Sequence, residues 1–512
     1  MKSKLITILL IFVNLHCGFL YAQDGSLDTS FGLSGKVTTA IGTINDKANG
    51  IALQQDGKIV VVGQSNNGTK NLFTILRFLP NGGLDASFGN AGIKTIDFVG
   101  LNTGVANTVV MQNANSNGTS SPNDKIIVGG HNGSDFALVR LNADGSLDNT
   151  FDNDGVVTTS FGPTASNFEY LNEIILQSDG KMVAVGTALI SNFDVVMARY
   201  NTDGTLDTTF GNNGKVITSH PNGLNEYGND VAVQSDNKIV VAGYITTGST
   251  NDYQIIRYNA NGSLDTSFNF TGKAYTDFGT TQDNATGVKI QIDGKILVCG
   301  SSSNGVLSSV SIARYNPNGS LDNSFDNDGK VLTSYPTINA FGDSCYIQND
   351  TKIVVAGTIN SNFGIVRYLS NGTVDTTFGN NGTVTTDFNN TTDQAFAVAV
   401  QPDAKIILTG NSFNPSTTAF ALARYNNAVL GNINLEKSNF SVYPNPANNK
   451  ITIHNNDNLS IENIVVFDIS GKKILAQNSN FSSVDVQNLE SGIYFLEIKS
   501  NEQSTKIKFI KN

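Results

Sequence analysis

Seven carboxylates recur at nearly even intervals: Asp28, Asp85, Asp148, Asp207, Asp265, Asp322 and Asp375, each inside a Leu/Val-Asp-x-x-Phe stretch. Six of them follow, by eight residues, an arginine in an apolar run: Arg77, Arg140, Arg199, Arg257, Arg314 and Arg367, with Arg424 ending the series. A guanidinium and a carboxylate held at one spacing share one relative geometry. The carboxylate either pairs with that arginine or caps backbone amides of the turn, while the phenylalanine three residues on wedges between units. Seven equivalent ligand sites are the alternative, but a group present in every unit is more simply part of the scaffold.

Chemistry outside that pattern is sparse. His131, His220 and His454 stand far apart, without Glu or Cys at metal-ligand spacing. No Gly-x-Ser-x-Gly elbow or phosphate loop occurs. Asp152-Asn-Asp154-Gly155 and Asp326-Asn-Asp328-Gly329 resemble fragments of calcium loops, but the remaining ligands of such a loop are missing. Gly211-Asn-Asn-Gly214 and Gly379-Asn-Asn-Gly382 fill the same slot without carboxylates, so a simple turn explains all four and a structural Ca²⁺ is the alternative. No catalytic, cofactor-binding or metal-ligating residue is therefore assigned.

These spacings need elements to hold them. The Asp-to-Asp steps are 57, 63, 59, 58, 57 and 53, and the marker Asp56-Gly57-Lys58-Ile-Val-Val-Val returns in phase around Lys125, Lys181, Lys238, Lys295, Lys352 and Lys405. Within the first unit, Lys36–Ile41, Gly50–Gln54, Lys58–Gln64 and Phe73–Phe78 read as strands, with Asp56-Gly57 as a hairpin turn. Val60-Val61-Val62 is apolar on both faces, as suits a strand covered by a neighbouring sheet on each side. Seven units of four strands, bounded at about residues 23–428, predict an all-β fold, a seven-bladed β-propeller; an open solenoid is the runner-up.

Composition agrees. The chain has 512 residues, 50 of them Gly, with 15% charged residues and a net charge of -11. Excess Gly is the turn inventory of repeated blades, and the acidic balance without a Lys/Arg cluster argues against nucleic acid. Fourteen of the 32 basic residues occupy repeat positions, which leaves little charge for an active site. Propeller enzymes gather groups from several blades at the central channel, so the feature that would reveal one is a polar cluster there that breaks the repeat.

The ends have another texture. Lys2 and Lys4 precede an apolar run to about Leu20, which reads as a signal peptide of residues 1–22 cleaved between Ala22 and Gln23. The run is short for a membrane span, and Cys17 lacks the small preceding residues of a lipoprotein signal. Cys299 and Cys345 read as small buried thiols, since a chain of this size needs no disulfide framework, and a bridge between them is the alternative. After a linker at 429–438, residues 439–512 alternate strands and Gly turns, as in a small Ig-like β-sandwich. They carry Tyr443-Pro444-Asn445-Pro446, Asp468-Ile-Ser-Gly-Lys472, Gly492-Ile-Tyr494 and Lys506-Ile-Lys508.

Two resemblances follow from the quoted stretches. The repeats Asn-x-x-Gly-Ser-Leu-Asp-x-x-Phe-Gly and Gln-x-Asp-Gly-Lys-Ile-Val-Val-x-Gly resemble the delta-60 repeats of secreted bacterial proteins, a family whose implied fold is the β-propeller and which brings no catalytic residue. The tail resembles the C-terminal sorting domain of the type IX secretion system of Bacteroidetes. That likeness implies the secretion machinery as partner, passage through the outer membrane, and release or attachment at the cell surface. An adhesive or carbohydrate-binding sandwich is the alternative for the tail. The expectation for the whole is an exported binding or structural module with a surface glycan or protein as ligand; a hydrolase or lyase working in the channel is the alternative.

Overall fold

The computed structural model describes residues 24–42, 44–98, 103–112, 124–162, 168–388, 392–414, 417–427, 440–455, 459–468, 472–500 and 503–511. Among these every regular element is a β-strand, and the chain divides into two compact units, Met1–Val429 and Leu430–Asn512. The signal segment with Ala22 and Gln23, Cys17 and the linker 429–438 lie outside the described residues.

In the first unit the strands form seven four-stranded antiparallel groups, two of which are joined into one eight-stranded sheet by a single parallel bridge between Asn251 and Gln282. The innermost strands, which define blades 1 to 7, are Ile44–Leu53, Val105–Gln112, Glu169–Leu176, Glu226–Val233, Gln282–Ile290, Ala340–Ile347 and Asp393–Val400. Each packs against the next, and the first against the last, so the sheets close a ring.

What closes the ring is visible in one strand. Along Ile59–Asn66, the second strand of blade 1, Ile59 and Val61 enter the core shared with blade 7, whereas Val60 and Val62 enter the core shared with blade 2. Side chains alternate across a strand, so a run apolar at every position feeds two cores at once. Burying one such valine from water contributes about 1.5–3 kcal/mol. Seven cores fill the seven gaps between blades.

Two expectations are corrected here. Lys36–Thr39 does not belong to the sheet of blade 1; it pairs with Thr417–Tyr425 as the outer strand of blade 7, and Ile93–Ile96 takes its place in blade 1. The sequence unit is thus offset from the blade by one strand, which ties the two ends of the ring together. At the hairpin, a two-residue turn of the kind Asp-Gly favours would put both residues at positive φ, yet only Gly57 takes one (82°): the Gly57 amide donates to the Gln54 carbonyl, and the Asp56 carboxylate accepts from the Lys58 amide.

Each innermost strand carries one extra residue opposite its partner, a β-bulge, at Asn49, Asn107, Asn172, Asn229, Thr286, Asp343 and Phe396. The bulge explains the glycine that ends every Val-Val-x-Gly marker. A Cβ on Gly63 or Gly243 would lie 1.8 Å from the carbonyl oxygen of Lys47 or Tyr227, the residue two before the bulge. Only glycine admits that approach.

Cys299 and Cys345 are free, buried thiols in the core between blades 5 and 6. In the second unit two sheets, of three and four strands, share one core that includes Phe440, Ile451, Val466, Val484, Leu496 and Phe509, the layered arrangement expected of a sandwich. Asn445 joins its Tyr-Pro-Asn-Pro stretch to the last strand, donating to the Lys508 carbonyl (3.1 Å) and accepting from the Ile510 amide (2.9 Å). Tyr443 is exposed, and Tyr494 stacks on Phe509 at 5.6 Å. The Lys506 side chain lies outside the described residues.

Candidate functional site

The recurrent Arg and Asp residues meet, and both arrangements offered by their spacing exist together. In blade 3, Asp207 Oδ2 accepts from Arg199 Nε at 2.8 Å, while its Oδ1 accepts from the Thr209 amide and hydroxyl. The other pairs lie at 2.7–2.9 Å, including Arg424 with Asp28 across the ends of the ring. Burial pushes these carboxyls up, but the Ser or Thr hydroxyl, the amide and the guanidinium outweigh it; Asp28 and Asp265 stand at about 2. Each arginine also covers its phenylalanine, as Arg199 does Phe210 at 4.5 Å, and Arg199 Nη1 donates to the Ala260 carbonyl of the next blade. Spacing did not disclose the third partner: the marker lysines Lys58, Lys125, Lys181, Lys238, Lys295, Lys352 and Lys405 all reach the same carboxylates, within 2.8–3.9 Å. Seven nearly identical ion clusters lock neighbouring blades along one rim.

The Asp152 and Asp326 loops are exposed turns: Asp152 and Asn153 have positive φ, and Asp154 accepts from the Val156 amide. Among the described residues neither loop joins a group of three acidic or metal-binding side chains. Such a group does form from Asp252, Asp277 and Asp283, but Asp283 is engaged by the Phe278 amide, as Asp393 is by Phe388 in blade 7.

The channel breaks the repeat. A cavity of about 350 Å³ is lined by all seven innermost strands, with the seven bulged residues on its wall. Bulging aims these side chains away from the blade faces, so their identity is released from core packing. Asn107, Asn172 and Asn229 each donate an amide hydrogen to the next blade's backbone carbonyl, at 2.7–2.8 Å, Asn49 does so at 2.9 Å, and the Thr286 hydroxyl continues the belt at 3.0 Å. Asp343 and Phe396 interrupt it. Lys47 fills that seam, its ammonium 4.4 Å from the Phe396 ring centre.

The residue after the bulge is charged only in blades 3 and 4, at Glu173 and Asp230. Asp230 accepts from the Val288 amide (2.7 Å) and from Lys289 (3.0 Å), both of blade 5. Glu173 Oε1 accepts from the Thr108 hydroxyl and the Ile174 amide. Burial, then the charge of Asp230, pushes Glu173 up to about 7; burial, against Lys47, pushes Asp343 up to about 7. Burial alone would discharge Lys289, yet Asp230 raises it.

A carboxyl whose pKa is higher folded than unfolded binds its proton more tightly in the fold, so its ionisation destabilises. For Glu173 that cost is absent below about 4.5, grows towards 7 and is complete above it. Glu173→Gln is therefore expected to raise the thermal midpoint by a few degrees at pH 8 and to leave it nearly unchanged at pH 4, as scanning calorimetry would read. An equal shift at both pH values would contradict the assignment.

The rim opposite the ion clusters is aromatic. Tyr170 and Tyr227 occupy one repeat position, two residues before the bulge, where the other blades carry Lys47, Val105, Asn284, Phe341 and Gln394. Tyr227 stacks between Tyr244 (4.4 Å) and Phe193 (5.3 Å), and Tyr170 lies against His131 (4.9 Å) and the half-exposed Phe168 (6.3 Å). Neither this rim nor the channel cluster was named from sequence. The available signal was departure from the repeat, which becomes readable only once the bulge position is known.

Residues 441–512 match the family model described as Secretion system C-terminal sorting domain. Residues 54–88, 121–151, 177–210, 234–268, 291–325 and 348–378 match Domain of unknown function (DUF5122) beta-propeller. Each of these six stretches runs from a hairpin to the next Asp motif; the corresponding seventh is split between the two ends of the first unit and is joined only in the closed ring. No curated protein matches the sequence. Among solved structures, a protein of unknown function from Dyadobacter fermentans is similar at 10% identity, with 77% of this chain and 100% of that chain covered and a TM-score of 0.40. Sqt1 of Chaetomium thermophilum is similar at 10% identity, 79% and 98% coverage and a TM-score of 0.43. A polysaccharide lyase, Uly1, gives 10% identity, 78% and 92% coverage and a TM-score of 0.43.

Proposed function

We propose that this chain, a β-propeller repeat protein whose C-terminal sorting domain exports it through the type IX system to the cell surface or beyond, acts there as a binding module for a surface glycan. The observation that carries the reading is the contrast between its two rims. Along one, the same Arg, Asp, Lys and Phe recur in seven blades because they hold blades together. Along the other, positions that the fold makes equivalent hold Tyr170, Tyr227, Lys47 and Asn284, so the scaffold does not dictate them. Stacked tyrosines beside a polar channel mouth offer an apolar ring face and hydrogen-bonding groups together, which is what a pyranose chain presents in return.

The test is a glycan array on the mature protein, followed by titration of the best ligand against Tyr227→Ala. Loss of this half-buried ring, which holds the aromatic stack together, is expected to weaken binding by about tenfold, near 1.4 kcal/mol. Unchanged affinity, or a protein partner captured in place of any glycan, would overturn the glycan reading.

A second reading, a hydrolase or lyase, is favoured by one observation: Glu173, Asp230, Lys289 and Asp343 converge on the channel and depart from the repeat. Carboxyls poised near neutrality suit proton transfer. Chromatography of the bound glycan after long incubation separates the two readings, since a binder returns it intact.

A further inference from the structure

We propose that the channel cavity is a discrete site for a single hydroxyl-rich ring the size of one pyranose unit, whether a free sugar or the end of a glycan; this rests on the reading of the propeller as a glycan-binding module. Size comes first. At about 350 Å³ the cavity lies at the small end of the ~300–1,000 Å³ range of ligand pockets, and it is walled by seven strands. It has room for one ring rather than a chain, so the extended contacts belong to the rim.

The hydrogen-bond inventory then selects the ligand. The side-chain nitrogens of Asn172 and Asn229 each give one of their two hydrogens to a backbone carbonyl of the next blade, which anchors the amide and leaves its oxygen as an acceptor and its second hydrogen as a donor on the channel wall. The donors of Glu173, Thr108 and Ile174, both reach Oε1, so Oε2 remains an open acceptor among the described residues. Asp343 has no hydrogen-bonding partner among the described residues, and stands where five of the other blades carry a donating Asn or Thr. The wall is rich in acceptors; its donors are the second amide hydrogens of the asparagines and what remains of Lys289, which already donates to Asp230 and to the Val288 carbonyl.

Such a wall matches a ligand that donates several hydrogen bonds and accepts one or two. Phosphates and other anions are disfavoured by three carboxylates. A bare divalent cation is disfavoured as well: the carboxylates of Glu173, Asp230 and Asp343 do not gather into a group at ligand distance, and Lys289 already lies 3.0 Å from Asp230. Vicinal hydroxyls on a rigid ring fit planar amide and carboxylate acceptors in pairs.

The experiment is calorimetric titration of the full mature protein with glucose, galactose, mannose and N-acetylglucosamine. One of them is expected to bind saturably at one site per chain. Asn229→Leu and Glu173→Gln should each weaken that binding about tenfold, as for hydrogen bonds lost in a desolvated site, whereas Asp179→Ser, in an exposed turn of the opposite rim, should leave it unchanged. Thermal unfolding of each variant establishes that it is folded. Saturable binding that neither channel variant weakens, or no saturable binding by the folded native protein, overturns the site. If monosaccharide binding fails while an array glycan still binds, only the channel inference falls. If both fail, the glycan-binding reading falls with it.

Discussion

Arg367→Leu is expected to destabilise the propeller by about 3–5 kcal/mol, the usual cost of breaking a buried ion pair, and to lower its thermal midpoint by about 4–6 °C. Arg367 is the most deeply buried of the seven arginines and holds Asp375 at 2.9 Å. It differs from its sisters in a second respect. Where they donate to a backbone carbonyl of the next blade, Arg367 reaches Asn427, and it also pairs with Asp24 at 3.1 Å. One guanidinium thus grips both the first and the last described residues of the ring unit. Arg199→Leu should remove an equivalent ion cluster and cost less, because no chain end is released. The double change Arg367→Leu with Asp375→Leu should recover part of the loss, since two apolar side chains replace a buried carboxylate that would otherwise keep only Lys352, at 3.3 Å, as its cation. Denaturant midpoints for the four proteins test this; a single variant within about 1 kcal/mol of native would show that the cluster holds nothing.

Deleting residues 439–512 is expected to abolish display altogether, with the propeller accumulating in the periplasm of a host with a working type IX system. The tail has its own hydrophobic core and forms its own compact unit, so the deletion removes a whole folded element and leaves the propeller's cores untouched. The reciprocal fusion of residues 439–512 to a periplasmic reporter should carry the reporter outward. Surface protease accessibility and cell fractionation read both. Undiminished display of the truncated protein would show that the address lies elsewhere in the chain.

The scaffold was legible in the sequence because its determinants are local. Arg199 and Asp207 lie eight residues apart, joined by a turn, so their pairing needs nothing distant. Valine runs announce strands covered on both faces for the same reason. Cys299 and Cys345 are free and buried, and neither that nor their shared location between blades 5 and 6 is encoded by two residues 46 positions apart. Lys181 lies 26 residues before Asp207, and its approach to that carboxylate depends on how a whole hairpin folds back.

What the sequence determined by itself was period, repeat number, the Arg-Asp pairing and the export address, all written in contiguous stretches. Tertiary structure decided three things. The ring closes by lending Lys36–Thr39 to the last blade and by pairing Arg424 with Asp28, 396 residues away, because only a closed ring leaves no apolar sheet face uncovered. A one-residue bulge decides which side chain of each inner strand faces the channel, and a slip of one residue sends every side chain to the other face. Glu173, Asp230, Lys289 and Asp343 become neighbours only when blades 3 to 6 stand side by side, since no spacing along the chain encodes a contact made around a ring.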